Sequence, residues 1–176
     1  MNSIIQNIIS RRSIRNFKPD MPTEEEISLV LKAGTFAASG MNRQSPIIIA
    51  VTNKKLRDEL SKLNAEIMGN PGCDPFYGAP VVLVVLADKN ACAMTYVYDG
   101  ACVIQNMMLA AHSIGLGSCW IHRAKEEFNT EFGKKILADL GIHGEYEGIG
   151  HCILGYPDCA LPEPKERKSN YVYYVR

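Results

Sequence analysis

A chain of 176 residues with 47% hydrophobic side chains can bury one sizeable core, and nothing in its length calls for a second, so residues 1–176 read as a single domain. Lysine plus arginine and aspartate plus glutamate number 19 each, a balance that argues against a nucleic-acid binder and leaves any anion site to be local. The cysteines at 73, 92, 102, 119, 152 and 159 form no C-x-x-C pair and no zinc-like Cys/His spacing, and no apolar run approaches the roughly 20 residues that span a bilayer, which together predict a cytoplasmic, metal-free protein with reduced thiols.

Ile4, Ile5, Ile8 and Ile9 share one helical face, predicting an amphipathic helix that ends near Arg11-Arg12. Thr23 with Glu26 three residues on makes a capping box, and Ile27, Val30, Leu31, Gly34 and Ala38 continue the helical period. The small and amide side chains from Ala37 to Ser45 predict a loop leading into a buried strand over 47–51. Asn53 can cap a third helix carrying Leu56, Leu60, Leu63 and Ile67, broken by Gly69-Asn70-Pro71-Gly72.

The run from Pro80 to Ala87 is β-branched and lacks alternation, as in a central strand covered on both faces. The longest helix is predicted from about Ala93 to Ile114, through Val97, Ala101, Ile104, Met108 and Ala111, with Gly115 as its left-handed cap. A short strand over 117–121, a helix carrying Phe132, Ile136, Leu137 and Leu140 that stops at Gly141, and a strand over 148–155 follow. From about 161 the chain becomes an extended tail of prolines, charges and the strand-like Tyr171–Val175. Such an end frays unless held; adding it to a partner's sheet predicts a dimer, and pairing within the chain would serve equally well.

Arg11, Arg12, Ser13 and Arg15 place three guanidinium groups and a hydroxyl within five residues, suited to a phosphate or a ring imide edge, or else to a solvated basic helix end. Lys165 and Arg167 either complete an anion pocket or solvate a terminus. Ser39, Asn42 and Gln44 offer ligand contacts on a loop, or turn chemistry. Gly115-Leu116-Gly117 follows a helix and precedes a strand, the reverse of a dinucleotide fingerprint. His112 is expected to pack within the long helix, His143 lies in a loop, and His122 and His151 are open; no nucleophile–base arrangement is visible.

Taken in order, R-R-S-I-R, S-G-M-N-R-Q, A-P-V-V-L-V-V-L, Q-N-M-M-L-A-A-H-S-I-G-L-G-S-C-W-I and L-G-Y-P before the basic tail resemble the nitroreductase family of flavoproteins over nearly the whole chain. The resemblance implies an α+β, three-layer α-β-α fold: a mainly antiparallel sheet flanked by helices, its C-terminal strand exchanged between the subunits of a homodimer. It implies FMN as cofactor, NADH or NADPH as donor, and a small-molecule acceptor such as a quinone or nitroaromatic compound, served in ping-pong fashion. Arg11, Arg12, Ser13 and Arg15 match the positions that hold the flavin's phosphate, ribityl chain and pyrimidine edge, with Lys165 and Arg167 closing on the phosphate. Arg15 would give electrostatic support, with no catalytic side chain besides. Ser39, Asn42 and Gln44 match the loop presented by the partner subunit, and Trp120, Ile121 and His122 match the stretch near the reactive edge.

Where relatives often read Q-P-W, this chain reads Gln44-Ser45-Pro46-Ile47, so the acceptor pocket is expected to differ. Other readings of the same resemblance are reductive dehalogenation, flavin fragmentation, or a non-enzymatic flavin-binding, redox-sensing dimer. A nucleic-acid module built on the arginine cluster runs against the neutral net charge.

Overall fold

The computed structural model describes residues 2–176. In chain order it contains α1 (Ser3–Ser10), α2 (Glu24–Thr35), a 3-10 turn (Gly40–Asn42), β1 (Pro46–Val51), α3 (Lys54–Ile67), β2 (Val81–Asp88), α4 (Tyr96–Ser113), β3 (Gly117–Ile121), α5 (Ala124–Asn129), α6 (Glu131–Asp139) and β4 (Tyr146–Gly155). The strands pair antiparallel throughout, in the order β1-β2-β4-β3.

The alternation of a strand explains the layering. Val82, Val84 and Leu86 point to one face, where they meet Leu60 of α3, Phe128 of α5 and Ile136 of α6. Val81, Leu83, Val85 and Ala87 point to the other, against Val30 of α2 and Ile104, Met107 and Ala111 of α4. Both faces of β2 are therefore dry, which is why its sequence shows no polar alternation; each such Val or Leu contributes about 1.5–3 kcal/mol by burial. The result is the expected three-layer α-β-α arrangement with an antiparallel sheet.

Local signals set most of the ends. Thr23 and Glu26 form a reciprocal capping box, and the Asn53 side chain accepts the Leu56 N–H. Gly115, at φ 83°, ends α4.

Several expectations change. The long helix begins at Tyr96, and the side chain of Val97 is exposed; its inward face is Gly100, Val103, Ile104, Met107, Met108 and Ala111. β4 starts earlier, at Tyr146, and α5 lies in a segment for which the sequence reading names no element. Cys92, Cys119 and Cys152 are buried thiols, whereas Cys102 and Cys159 are exposed. Tyr171–Val175 pair with no strand among the described residues, and all five are exposed. The α1 isoleucines are also uncovered, between 49% and 68% exposed. Among the described residues, no helix is long and apolar enough to cross a membrane.

Candidate functional site

The N-terminal segment after α1 lies along the outer edge of β3. Ser13 bridges Ser118 in parallel, and the Ile14 N–H donates to the Ser118 carbonyl at 3.0 Å. Gly117 makes this approach possible, since a Cβ there would stand 3.0 Å from Ile14. The Ser118 carbonyl thus faces away from β4, and by ladder alternation the main-chain groups of Trp120 and the N–H of His122 face the same free edge. A cavity of about 360 Å³ opens beyond it, lined by Arg15, Asn70, Cys73, Tyr77 and residues 119–123. The Trp120 indole lies over Gly150, where a Cβ would meet it at 2.9 Å. The strand therefore offers its backbone to the cavity.

Behind this wall is a buried polar network. Asn64, Glu127 and His151 are each 0% exposed. Asn64 Nδ2 donates to the His122 carbonyl at 2.9 Å and to Glu127 Oε1 at 2.7 Å. Glu127 Oε2 lies 2.6 Å from His151 Nε2, and His151 Nδ1 is 3.3 Å from the Ile121 carbonyl. Because the C=O and N–H of a trans peptide point opposite ways, drawing the His122 carbonyl inward turns the Arg123 N–H outward. Arg123 takes φ 81°, a left-handed conformation that costs a non-glycine residue roughly 1–2 kcal/mol. The network beneath is what sustains it.

Asp74 also lines the cavity. Arg57 Nη2 at 2.6 Å, the Ser61 hydroxyl at 2.5 Å and the N–H groups of Phe76 and Gly78 all donate to it. Burial works to raise its pKa, but the hydrogen bonds from Arg57, Ser61 and Gly78 outweigh that and hold it below the usual carboxylate range. It acts as an anchor for the 74–78 turn and supplies no proton at neutral pH.

The basic clusters divide. Arg11 Nη1 is buried without an acceptor, an omission that costs about 1–3 kcal/mol and suits an acceptor brought from outside. Burial pushes the Arg11 pKa down, and Arg12 adds to that. The neighbouring Cys152 thiol is pushed up to about 12 by its own burial. Arg12 is spent on the main chain: Nη1 donates to the carbonyls of Ile9 and Arg11, and Nε to that of Pro162 at 3.1 Å. That last bond returns the start of the tail to the first cluster. Three further residues span at most about 11 Å, so Lys165 is kept near Arg12. Lys165 and Arg167 are exposed and make no ion pair among the described residues.

On the amide loop, Ser39 Oγ accepts the Gln44 N–H at 3.0 Å and Asn42 Oδ1 accepts from Gln44 Nε2 at 3.3 Å. Within one chain these groups perform turn chemistry. Ser39 and Gln44 line a different hollow, of about 480 Å³ between α2, α4 and β1, which shares no residue with the Arg15 cavity. The chain therefore gathers Arg15, Trp120, Ile121 and His122 at one cavity, sets Arg12 at a second hollow with His112 and Ser118, to which Ser13 is bridged, and keeps Ser39, Asn42 and Gln44 apart. Asn70 is visible in sequence only as part of a helix-breaking stretch, Cys73 only as one of the cysteines, and Tyr77 carries no signal. The Asn64–Glu127–His151 network had no local signal.

The nitroreductase family model matches residues 8–156. The FMN reductase (NADPH) of Bacillus subtilis (strain 168) is 30% identical over 143 residues, which is 73% of this chain and 57% of that protein, little more than half its length. The NADPH-flavin oxidoreductase of Vibrio harveyi is 28% identical over 184 residues, 98% of this chain and 72% of its own. Among solved structures, a nitroreductase with bound FMN from Bacteroides fragilis NCTC 9343 superposes with a TM-score of 0.89 at 27% identity over 100% of both chains. Another with bound FMN, from Desulfitobacterium hafniense DCB-2, gives 0.87 at 28% over 100% of both.

Proposed function

The chain belongs to the nitroreductase family, and from that premise we propose that it is an FMN-dependent NAD(P)H oxidoreductase working as a homodimer with a flavin site at each end of the interface. The observation that carries the reading is the free edge of β3, where the His122 N–H and Trp120 backbone face a cavity closed by Arg15. The donor set suits a flavin. Its ring system offers carbonyl acceptors along one edge, and its phosphate is an anionic acceptor of the kind that Arg11 Nη1, a buried donor without a partner, would take.

When bound, FMN would supply two-electron chemistry between a reduced nicotinamide and an acceptor such as a quinone or nitroaromatic compound. The chain's own residues bind and orient. Arg15 places a fixed positive charge at the pyrimidine edge, a preorganised electrostatic role. The main chain at Trp120–His122 holds the reactive edge, and the Ser13 hydroxyl is within the segment that would meet the ribityl chain. Arg11, Arg12, Lys165 and Arg167 would surround the phosphate, with the Arg12–Pro162 bond setting where the tail turns. Donor and acceptor would use the same open face in turn, which makes the cycle ping-pong.

The dimer is supported by what one subunit leaves bare. The α1 isoleucines, Tyr98 on α4 and the tail's Tyr171, Tyr173 and Tyr174 are about half exposed or more, large apolar and aromatic side chains of the kind an interface covers. The partner's Ser39, Asn42 and Gln44 would then reach the flavin that one chain's own loop does not face. The tail strand would find its hydrogen bonds on the partner's sheet.

The test is stopped-flow mixing of the FMN-loaded protein with NADH and with NADPH. Flavin bleaching on the scale of seconds or faster, followed by reoxidation with a quinone, is expected. A flavin that stays oxidised with both donors would leave a binding or sensing dimer instead.

A further inference from the structure

The segment from Gly40 to Ser45 is left-handed at Met41, Asn42 and Gln44, φ 51°, 54° and 51°, although none is glycine. Such a backbone persists only where its surroundings over-determine it. Here a single carboxylate grips both ends. Asp99, 4% exposed in the first turn of α4, accepts the Gly40 N–H on Oδ1 at 2.9 Å and the Ser45 hydroxyl on Oδ2 at 2.8 Å. Thr95 Oγ1 lies 3.3 Å from the same Oδ2. Ser45 is itself buried and its carbonyl accepts the Asp88 N–H at 2.9 Å, tying that end to β2. At the other end a Cβ on Gly40 would stand 2.1 Å from Thr95 Oγ1, so the main chain lies directly on α4. Between the anchors, the Ser39–Gln44 bond closes the turn.

We infer that Asp99 is the positioning residue of the amide loop, fixing Asn42 and Gln44 in the posture that meets the flavin of the second subunit and so governing FMN affinity without touching FMN. The inference rests on the reading that this loop faces the partner's flavin. The same turn of α4 carries the exposed Val97 and Tyr98, so loop posture and subunit contact share one helical end.

Amide hydrogen exchange over 40–45 and FMN affinity by flavin fluorescence, both on the purified dimer, test it. Asp99→Ala is expected to speed exchange at Gly40 and Gln44 and weaken FMN, each by roughly tenfold or more. Asp99→Asn can still accept from Gly40 and interact with Ser45, and is expected to restore both. Should Asp99→Ala not fold, Ser45→Ala removes one arm of the clamp and is expected to give the same losses at smaller size. Unchanged exchange in the first variant that folds overturns the inference, as does a loosened loop that leaves affinity unchanged. Asn42→Ala and Gln44→Ala separate the two levels. If neither alters FMN affinity, the reading of the loop fails and the inference with it; if they do while Asp99→Ala alters nothing, Asp99 alone is misassigned.

Discussion

The wall of β3 and the N-terminal helix with its tail treat their surfaces in opposite ways. Behind the wall, Asn64, Glu127 and His151 are wholly buried and point at one another or at the main chain they hold. At α1 and the tail, four isoleucines, three tyrosines and two basic residues find almost no cover, and the tethers are single hydrogen bonds at Asn7, Ser10 and Pro162. One half of the site is finished by folding. On the proposed function the other would be finished by a second subunit and a phosphate, so a change at either place should fail in a different assay.

The largest effect is expected from the unfinished half. Ile5→Asp with Ile8→Asp puts two charges on the apolar face of α1, where neither side chain is buried in a single chain. Sedimentation should show a monomer, with FMN affinity lower by about 100-fold or more and the monomer's fold intact. A dimer that persists with full flavin would place the interface elsewhere.

Next is the finished half. Glu127→Ala strips His151 of its carboxylate and Asn64 of one acceptor in a dry core, and breaking a buried pair in this way costs about 3–5 kcal/mol. At about 2–4 °C per kcal/mol for a chain of this size, Tm should fall by roughly 6–20 °C. The loss should appear in the isolated monomer as well as in the dimer. A melting point within a degree or two of the parent would mean the network is not holding the wall.

The same division explains what could be read in advance. The dry run of β2 and the Thr23–Glu26 box are local patterns, and both appear where the residues alone put them. α5 has six residues, too few to display a helical period. Glu127 and Asn64 are 63 positions apart, so neither announces the other, and His151 looked like any lone histidine. The arginine cluster was legible as charge, but the tethering use of Arg12 depends on a carbonyl 150 residues later. Tyr171–Val175 have strand-forming side chains, yet strand propensity does not say which edge they pair with, and they pair with none among the described residues.

The smallest expected effect reports whether a phosphate joins the two halves. His112 Nε2 lies 2.8 Å from Ser10 Oγ, and burial, then Arg11 and Arg12, push its pKa below the ordinary histidine value. A histidine whose folded pKa is depressed binds its proton less readily than in the unfolded chain. Its contribution to stability is therefore present above the unfolded value of about 6.5 and is lost as pH falls through the folded one. An anion bound against Arg11 and Arg12 offsets their positive field, which should raise the His112 pKa toward its unfolded value and shrink that loss. NMR titration of the imidazole before and after FMN loading measures the shift. An upward change with FMN, and none with riboflavin, puts the phosphate beside these arginines; equal titration curves in all three samples would remove it from this cluster.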